Sequence, residues 1–410
     1  MHLPNGLRAL NHRDYRLFFV GMLISLCGTW MQSVGQSWLI VRLTDSAFLL
    51  GLIATLQFLP TLLFALVGGA LADRLPKRKA LLFTQGMMML LAFVLAALVL
   101  TGTVQYWHVA VLATLLGLTN TLDVPLRQAF TVEMVGGSKQ DLANAVALNS
   151  AIFNGARLVG PAAAGLMIAK WGEGIAFLLN GISFVAVLVS LALMTAQGLP
   201  KPRPKRSLLA DVAEGLRYTW DNPVIFFLIA MLLAVGLFVI NYSVLVPILA
   251  NNVLNIGAAG YGYLMSALGA GALVGALILA FRSRSGPNLK PLITAGLVLC
   301  AAAAAMYFAH SFWVAMIILF VMGWSQILYT ADTNTTIQIL SPDDMRGRLM
   351  SLYQLVFAGS TPFGSLITGA VIERSNGSTG FLVDGALGLF FALLLLLWWV
   401  RRGGRVRALA

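Results

Sequence analysis

Four ionisable residues stand inside long apolar stretches of the sequence, where they could do charge or proton chemistry. They are Asp123, Arg127, Arg157 and Asp332. Charged groups are costly in a hydrocarbon layer, so such residues mark ligand pathways, proton relays or buried ion pairs. Enzyme chemistry has weaker support in the sequence. No Gly-x-x-x-x-Gly-Lys-Ser/Thr phosphate loop is present, and the four histidines do not have the spacing of metal ligands.

Asp123 and Arg127 are four residues apart, so a helix places them on one face together with Asn120. Counted along their helices, Asp123 lies roughly 18 Å and Arg157 roughly 22 Å from the same membrane side, at 1.5 Å per residue. The two side chains are therefore expected to meet at similar depth. One interpretation is a static salt bridge between two helices, and the other is a role in binding substrate or protons.

Asp332 shares a helical face with Ser325, Tyr329 and Thr336, and the apolar stretches of the second half offer it no basic partner. Burial without a cation favours the neutral, protonated form of a carboxyl, which suits a proton carrier. The alternative is that the helix ends early and water reaches Asp332. Asp384 lies near the outer membrane end of the last apolar stretch, where we expect it to be solvated.

Uncharged polar side chains recur inside the same stretches. Because polar groups facing lipid are unfavourable, most of them are expected to line an internal cavity. The candidates are Gln32, Gln36, Gln57, Asn120, Asn149, Asn241, Tyr329 and Tyr353.

The elements that carry these residues are predicted to be transmembrane helices. Of the 410 residues, 59% are hydrophobic and 10% are charged, which excludes a soluble globular domain with about a quarter charged residues. A spanning helix needs roughly 20 apolar residues. The predicted spans are 15–42, 48–72, 80–101, 107–134, 142–169, 174–195, 223–250, 260–281, 291–309, 312–340, 346–372 and 380–400.

The basic residues predict the orientation of these spans. The formal net charge is +12, and the excess of Lys and Arg is interpreted as membrane topology, with no nucleic-acid partner. With the N-terminus inside, 22 basic residues lie on the cytosolic side and three, Arg42, Lys170 and Arg374, lie outside. The positive-inside rule therefore predicts cytosolic termini, and the N-terminal segment is expected to be a retained tail rather than a signal peptide.

The longest loop, 196–222, divides the spans into an N-terminal bundle, 1–195, and a C-terminal bundle, 223–410. It opens with PKPRPKR and continues as SLLADVAEGLRYTW, which predicts an amphipathic helix on the inner membrane face. We interpret this helix as a linker, with regulation as the alternative.

The two bundles are expected to be homologous. A shift of 204 residues aligns Gly155, Gly160 and Gly165 with Gly359, Gly364 and Gly369. The loops SKQD (138–141) and SPDD (341–344) also match and are both predicted to cap the helix that follows. Two parallel six-helix repeats around a midplane cavity are the design of many secondary transporters.

The loop after the second span, GALADRLPKRK (69–79), resembles the signature loop of the major facilitator superfamily. Gly69, Asp73, Arg74 and Arg78 fall on the family pattern, while Pro76 replaces the usual glycine. The resemblance implies that Asp73 braces one transport state. Positive-inside topology alone would account for the basic residues of the loop but not for Asp73.

The fifth span, GARLVGPAAAG (155–165), is similar to the glycine–proline signature of proton-coupled exporters, with one extra residue between the first two glycines. Its candidate motif residues are Gly155, Gly160, Pro161 and Gly165. Glycines allow close helix approach, and a proline bends a helix. WMQ (30–32), DVPLRQA (123–129) and ALNSAIFNGARLVGP (147–161) resemble the enterobactin-exporter-like branch, which also includes drug:proton antiporters.

This resemblance implies twelve transmembrane helices in two pseudo-symmetric bundles and a secondary exporter of amphipathic small molecules, with proton antiport. A dedicated exporter of enterobactin-type siderophores is one alternative, and an integral membrane enzyme is the alternative from another class. The expected partners are the lipid bilayer, a small-molecule substrate and protons, with no cofactor and no metal. A monomer in the bacterial inner membrane is expected.

Overall fold

The structure, a computed structural model, describes residues 5–136, 138–199, 208–281, 289–342 and 345–402. Within these ranges the regular structure is helical and contains no strand. Twelve helical segments are long and apolar enough to cross a membrane. Apolar stretches of this length form helices because a helix satisfies its own backbone hydrogen bonds where water is absent. The all-helical membrane fold predicted from the sequence is confirmed.

The first six spanning helices match the predicted spans to within about three residues at each end. They are α1 (Arg13–Thr44), α2 (Ala47–Arg74), α3 (Lys77–Leu100), α4 (Tyr106–Met134), α5 (Lys139–Trp171) and α6 (Glu173–Leu193). Before them, residues Asn5–Asn11 form a 3₁₀ helix. Arg8 and His12 contact Asp141 at 3.0 and 3.1 Å, which holds this N-terminal segment against the start of α5.

The second half begins with α7 (Leu208–Asp221), the amphipathic helix predicted in the linker. The next span is interrupted: it consists of α8 (Pro223–Phe238), α9 (Tyr242–Ile248) and a π-helical turn, Leu249–Val253. The remaining helices are α10 (Gly257–Phe281), α11 (Leu289–Ala305) with a 3₁₀ turn at Met306–Phe308, α12 (Phe312–Leu340), α13 (Arg346–Glu373) and α14 (Gly377–Arg401).

The linker helix α7 contacts α13. Arg348 Nη1 donates to Glu214 Oε1 at 2.9 Å, and Gly215 lies close to the backbone of Arg348. At the end of α7, Trp220 packs edge-on against Phe226 and leaves most of its surface exposed. The PKPRPKR segment and Ser207 lie outside the described residues.

One of the two predicted capping loops forms a cap. Ser138 Oγ accepts a hydrogen bond from Asp141 N at 3.3 Å and so satisfies a free amide at the start of α5. The matching Ser341 instead ends α12, where its hydroxyl donates to Ile337 O at 2.5 Å. The helix that follows begins later, at Arg346. The N-cap of α13 is Met345, so the second cap predicted from Ser341 is not formed.

The chain forms two compact units. The first contains Met1–Asp45 and Leu59–Pro204, and the second contains Ser46–Phe58 and Lys205–Ala410. Buried aromatic side chains pack each interior, among them Tyr15 and Phe130 in the first unit and Phe227 and Phe381 in the second.

The beginning of α2 belongs to the second unit because it packs along α13. Glu373, the last residue of α13, accepts hydrogen bonds from Ser46 Oγ at 3.0 Å and from Phe48 N at 3.1 Å. A carboxylate at a helix start satisfies free amides and complements the helix dipole. Two turns further on, Thr55 Oγ1 donates to Pro362 O at 2.7 Å.

The tight connection between α2 and α3 is held by its basic residues. Arg78 donates to the carbonyls of Leu191 and Ala192, at 2.7 and 2.6 Å, and thereby satisfies the end of α6. Lys77 is 5% exposed and forms an ion pair with Glu133 at 2.9 Å. These contacts give Lys77 and Arg78 a structural role that topology alone does not explain.

One aligned pair of glycines, Gly160 and Gly364, serves close helix contacts at matching places in the two halves. In the first unit, a Cβ at Gly160 of α5 would lie 2.7 Å from Trp30 Cβ and 3.0 Å from Cys27 O of α1. In the second, a Cβ at Gly364 of α13 would meet the carbonyl of Leu237 of α8. The same small-residue contact therefore joins the first and fifth helices of each half.

Gly160→Ala is expected to lower the free energy of unfolding by about 1–3 kcal/mol, because the new methyl group overpacks the contact with α1. Gly155→Ala in the same helix is the matched control, since no atom lies within 4 Å of its added Cβ. The control should be neutral or slightly stabilising. Unfolding by SDS titration in mixed micelles measures both, and equal stabilities would contradict the close packing at Gly160.

Candidate functional site

The first unit encloses a charged cluster around Asp123 of α4. This carboxylate is fully buried. Its Oδ2 lies 2.6 Å from Arg127 Nε, one helical turn further along α4. Its Oδ1 accepts hydrogen bonds from Thr84 Oγ1 at 2.7 Å and from Gln85 Nε2 at 2.8 Å, both on α3. The carboxylate is thus neutralised by one cation and solvated by two neutral donors.

The i, i+4 relation of Asp123 and Arg127 predicted from the sequence is present, but the meeting of Asp123 with Arg157 is not. Both oxygens of Asp123 face its own helix and α3, whereas Arg157 projects from α5. The angular position of Arg157 around α5 directs it towards α1.

Arg157 lies over the indole of Trp30, with its guanidinium carbon 5.7 Å from the ring centroid. The same indole meets Phe153 edge-on at a centroid distance of 5.7 Å. Arg157 is 8% exposed, so this cation–π contact is largely desolvated and stronger than one at a protein surface. The Cys27–Trp30 stretch against which Gly160 packs therefore also carries the partner of Arg157.

Asp332 of α12 does not meet the description that the sequence predicted. It is only partly buried and has an interaction of its own, so it is not a deeply buried carboxyl without a partner. Ser325 and Tyr329, which share its predicted face, are fully buried, and Thr336 is nearly so.

Asp384 of α14 departs from the sequence expectation in the opposite direction. It was expected to be solvated, but it is 1% exposed. The hydroxyl of Thr368 on α13 donates to its Oδ2 at 2.5 Å. That hydroxyl in turn accepts from Asn241 Nδ2 at 3.1 Å. The second unit therefore contains a buried carboxyl linked by hydrogen bonds to the start of α9.

The predicted cavity residues divide into buried and half-buried groups. Gln57, Asn120 and Asn149 are partly exposed, whereas Gln32, Gln36, Asn241, Tyr329 and Tyr353 are buried. Asn241 and Tyr329 are fully buried, so they do not line a solvent-filled cavity in this structure.

Three of these side chains have clear partners within their own units. Asn180 Nδ2 donates to Gln32 Oε1 at 2.5 Å, between α6 and α1. Tyr15 donates to Asn149 Oδ1 at 3.0 Å. Tyr353 donates to the carbonyl of Thr330 at 3.1 Å. These hydrogen bonds join neighbouring helices. Polar side chains in a membrane can therefore stabilise helix contacts instead of lining a cavity.

The predicted motif residues are placed as follows. Gly69 and Gly155 have open space around them, while Gly165 and Pro161 are buried within α5. In the signature loop, Arg74 is exposed, and Asp73 is partly buried and has an interacting partner. Arg78 is fixed at the end of α6. Pro76 forms the N-cap of α3 with an extended backbone, which explains how the turn is made without the usual glycine.

Sequence reasoning missed Thr84, Gln85, Asn180 and Thr368, each of which contacts a residue discussed above. A usable signal was present, because all four are polar residues within otherwise apolar spans. Their partners could not be assigned, since each contact joins two different helices.

Comparison with known proteins places the whole chain among membrane transporters. The family described as "Transmembrane secretion effector" matches residues 5–404. The "Multidrug efflux pump Tap" of Mycolicibacterium fortuitum is 27% identical over 92% of this chain and 93% of its own length. The "Enterobactin exporter EntS" of Shigella boydii is 28% identical over 95% of this chain and 93% of its own length.

A solved structure of a POT family transporter has the same fold. Its TM-score is 0.76 over 95% of this chain and 96% of that one, at 11% identity.

Arg127→Gln is expected to lower the free energy of unfolding by about 3–5 kcal/mol, because it leaves the Asp123 carboxylate buried without its cation. Asp123→Asn should cost less, since Arg127 is partly exposed and can reach water. The double variant should lose less than the sum of the two single variants. SDS titration of all four proteins provides the double-mutant cycle.

The matched control cycle combines Asp123→Asn with Arg157→Gln. Because Arg157 does not contact Asp123, these two effects should add. Coupling to Arg157 in place of Arg127 would contradict the observed geometry.

Proposed function

The chain belongs to the transmembrane secretion effector family of the major facilitator superfamily, and from this premise we propose that it exports amphipathic organic molecules in exchange for protons. Family membership makes it a multi-pass membrane efflux transporter and not an enzyme. The proton exchange, the substrate class and the alternating-access cycle are the proposed part.

The observation that carries the substrate class is the buried contact between Arg157 and Trp30. A guanidinium on an indole presents a positive charge and a flat apolar surface side by side, which suits aromatic anions and neutral ring systems. The spans of the first half contain Asp123, Arg127 and Arg157, a net charge of one positive unit. This count favours anionic or neutral substrates over dications.

Two names among the relatives agree with this class. One relative is named a multidrug efflux pump and the other an enterobactin exporter. The match to the enterobactin exporter extends over nearly the whole chain, which favours a dedicated siderophore exporter as the second candidate function. A catecholate is both aromatic and acidic, so Arg157 and Trp30 suit this narrower substrate equally.

Proton antiport would supply the energy. Moving one proton with the membrane potential releases about 2.3 kcal/mol per 100 mV. By the rule of tenfold per 1.4 kcal/mol, this corresponds to roughly fiftyfold accumulation of substrate. The carboxyls that the sequence suggests as carriers of the exchanged proton are Asp123 and Asp332. In the proposed cycle the two six-helix halves expose the binding site alternately to each side, and Asp73 braces one of the two states.

The test of function is export from a bacterial host that lacks its own exporters. Cells producing the chain are expected to release enterobactin, or to extrude a neutral amphipathic drug, faster than empty-vector cells. They should lose this advantage when the protonophore CCCP collapses both the membrane potential and the pH gradient. Dequalinium, a dication, should not be extruded. Extrusion of dequalinium alone would refute the proposed substrate class.

Arg157→Gln should reduce transport of the anionic substrate about tenfold, the value of one charge-assisted contact of about 1.4 kcal/mol. Arg157→Lys keeps the charge and is the matched control, expected to retain part of the activity. Equal loss of anionic and neutral substrates in Arg157→Gln would assign Arg157 to packing rather than recognition.

The proposed topology places both termini in the cytosol of a bacterial cell. Reporter fusions at Ala410 and at Lys201 should give cytosolic signals, and a fusion near Asn255 should give an external one. The reason is the excess of basic residues in alternate loops. An external signal at Ala410 would contradict the even number of spans.

A further inference from the structure

Asp384 is a buried carboxyl that the proposed cycle does not yet use. It lies seven residues beyond the first residue of α14, about 10 Å along the helix axis at 1.5 Å per residue. Its burial results from close helix packing: a Cβ at the neighbouring Gly385 would lie 2.8 Å from the carbonyl of Cys300 on α11. A carboxylate removed from water in this way needs a cation, several hydrogen bonds, or a proton.

No cation supplies that need among the described residues. α14 packs against α8, α9, α11, α13 and the turns at 249–253 and 306–308. The titratable or charged residues on these elements are Tyr242, Lys290, Cys300, Tyr307, Arg346, Arg348, Tyr353 and Glu373. Asp384 forms an ion pair with none of them in the described part of the chain. Of these residues, Cys300 lies close to α14, since its Sγ would be 3.1 Å from a Cβ at Gly388, one turn beyond Asp384.

Hydrogen bonds do not supply it either, because the donors around Asp384 are already assigned. Asn241 Nδ2 has two hydrogens, one donated to Leu237 O at 2.7 Å and one to Thr368 Oγ1 at 3.1 Å. The Thr368 hydroxyl accepts the second and donates its own hydrogen to Asp384 Oδ2. The cluster thus delivers a single donor to the carboxyl.

Two acceptor oxygens remain. Asp384 Oδ1 and Asn241 Oδ1 are both buried without a hydrogen-bond partner in the described structure. A buried carboxyl that receives one donor and no cation among the described residues loses its charge by binding a proton. A proton bound at Asp384 Oδ1 removes the buried charge, turns one unpaired acceptor into a donor, and leaves the hydrogen bond at Oδ2 in place.

The cluster is also connected to the one interrupted span among the described helices. Asn241 stands in the break between α8 and α9, where its amide satisfies the carbonyl of Leu237. Broken helices inside a membrane tolerate their free backbone groups only where side chains or a cavity satisfy them. Asn241 therefore links the backbone at this break, through Thr368 of α13, to the carboxyl on α14.

We propose that Asp384 is the proton-binding site of the second half, where Oδ1 takes up a proton in one transport state and releases it in another. This inference rests on the proposed antiport for its role in the cycle, although proton binding itself can be tested without a substrate. Uptake converts the carboxylate to a neutral carboxyl with no other bond made or broken. Thr368 and Asn241 act as positioning residues that relay the change of charge to the break in the seventh span.

The direct test is infrared difference spectroscopy of the reconstituted full-length protein between mildly acidic and mildly alkaline buffer. The probe is the proton alone. Wild type should show a C=O band of a protonated carboxyl that is absent from Asp384→Asn and retained in Asp221→Asn, a control at an exposed acid on α7. Retention of the full band in Asp384→Asn, or its loss in Asp332→Asn instead, would overturn the assignment.

Thr368 provides a second pair of variants in case Asp384→Asn does not fold. Thr368→Ser keeps the hydroxyl and should leave the band unchanged. Thr368→Val removes the only donor to Asp384 and should shift the band frequency. An unshifted band in Thr368→Val would contradict the assignment, as would a band abolished by sodium chloride but not by choline chloride, which would identify a sodium site.

The role in the cycle is tested in proteoliposomes with enterobactin as the substrate probe. Wild type should couple substrate movement to proton movement, while Asp384→Asn should lose the proton flux and keep substrate exchange. If wild type moves substrate without protons, the antiport is wrong, yet the infrared result still decides the proton site. If wild type moves both and Asp384→Asn behaves identically, the assignment of Asp384 is wrong.

Discussion

Every polar group in the spans must find its partner within the protein, because a hydrocarbon layer offers no water. This constraint organises the structure at all levels. At helix ends it places Arg78 on the carbonyls of Leu191 and Ala192 and Glu373 on the amide of Phe48. Within the spans it surrounds Asp123 with a cation and two donors. The contacts between helices follow from these requirements as much as from apolar packing.

The two units meet the constraint in chemically different ways. In the first, Arg127 lies against Asp123 from one turn along the same helix and balances its charge. In the second, the hydroxyl of Thr368 donates to Asp384, and no cation among the described residues balances its charge. A fixed charge can position a substrate or a helix, whereas an unbalanced carboxyl can exchange its proton. The proposed division of roles between the halves rests on this difference.

Most of the fold could be predicted from the sequence, and the partners of the buried charges could not. Span positions follow from hydropathy alone, and all twelve were found. Asp384 was misjudged because its distance from the end of α14 suggests water, while its burial depends on Gly385 and Gly388, which admit α11. The predicted pairing of Asp123 with Arg157 was wrong for a similar reason. Positions along a helix can be counted from the sequence, but which face of one helix meets its neighbour cannot.

The internal repeat explains why aligned glycines predicted helix contacts better than charged residues predicted ion pairs. Gly160 and Gly364 are aligned in sequence and serve equivalent contacts, with α1 in one unit and with α8 in the other, because backbone approach is required of both halves. No such requirement keeps ionisable residues symmetric. Asp332 has no acidic counterpart at the matched position of the first half, near Leu126. Asp384 lies within the last helix of its half, whereas the acid on the matched helix α6 is its first residue, Glu173. Shared packing with unshared charge is what the proposed division requires, with substrate bound in one half and a proton in the other.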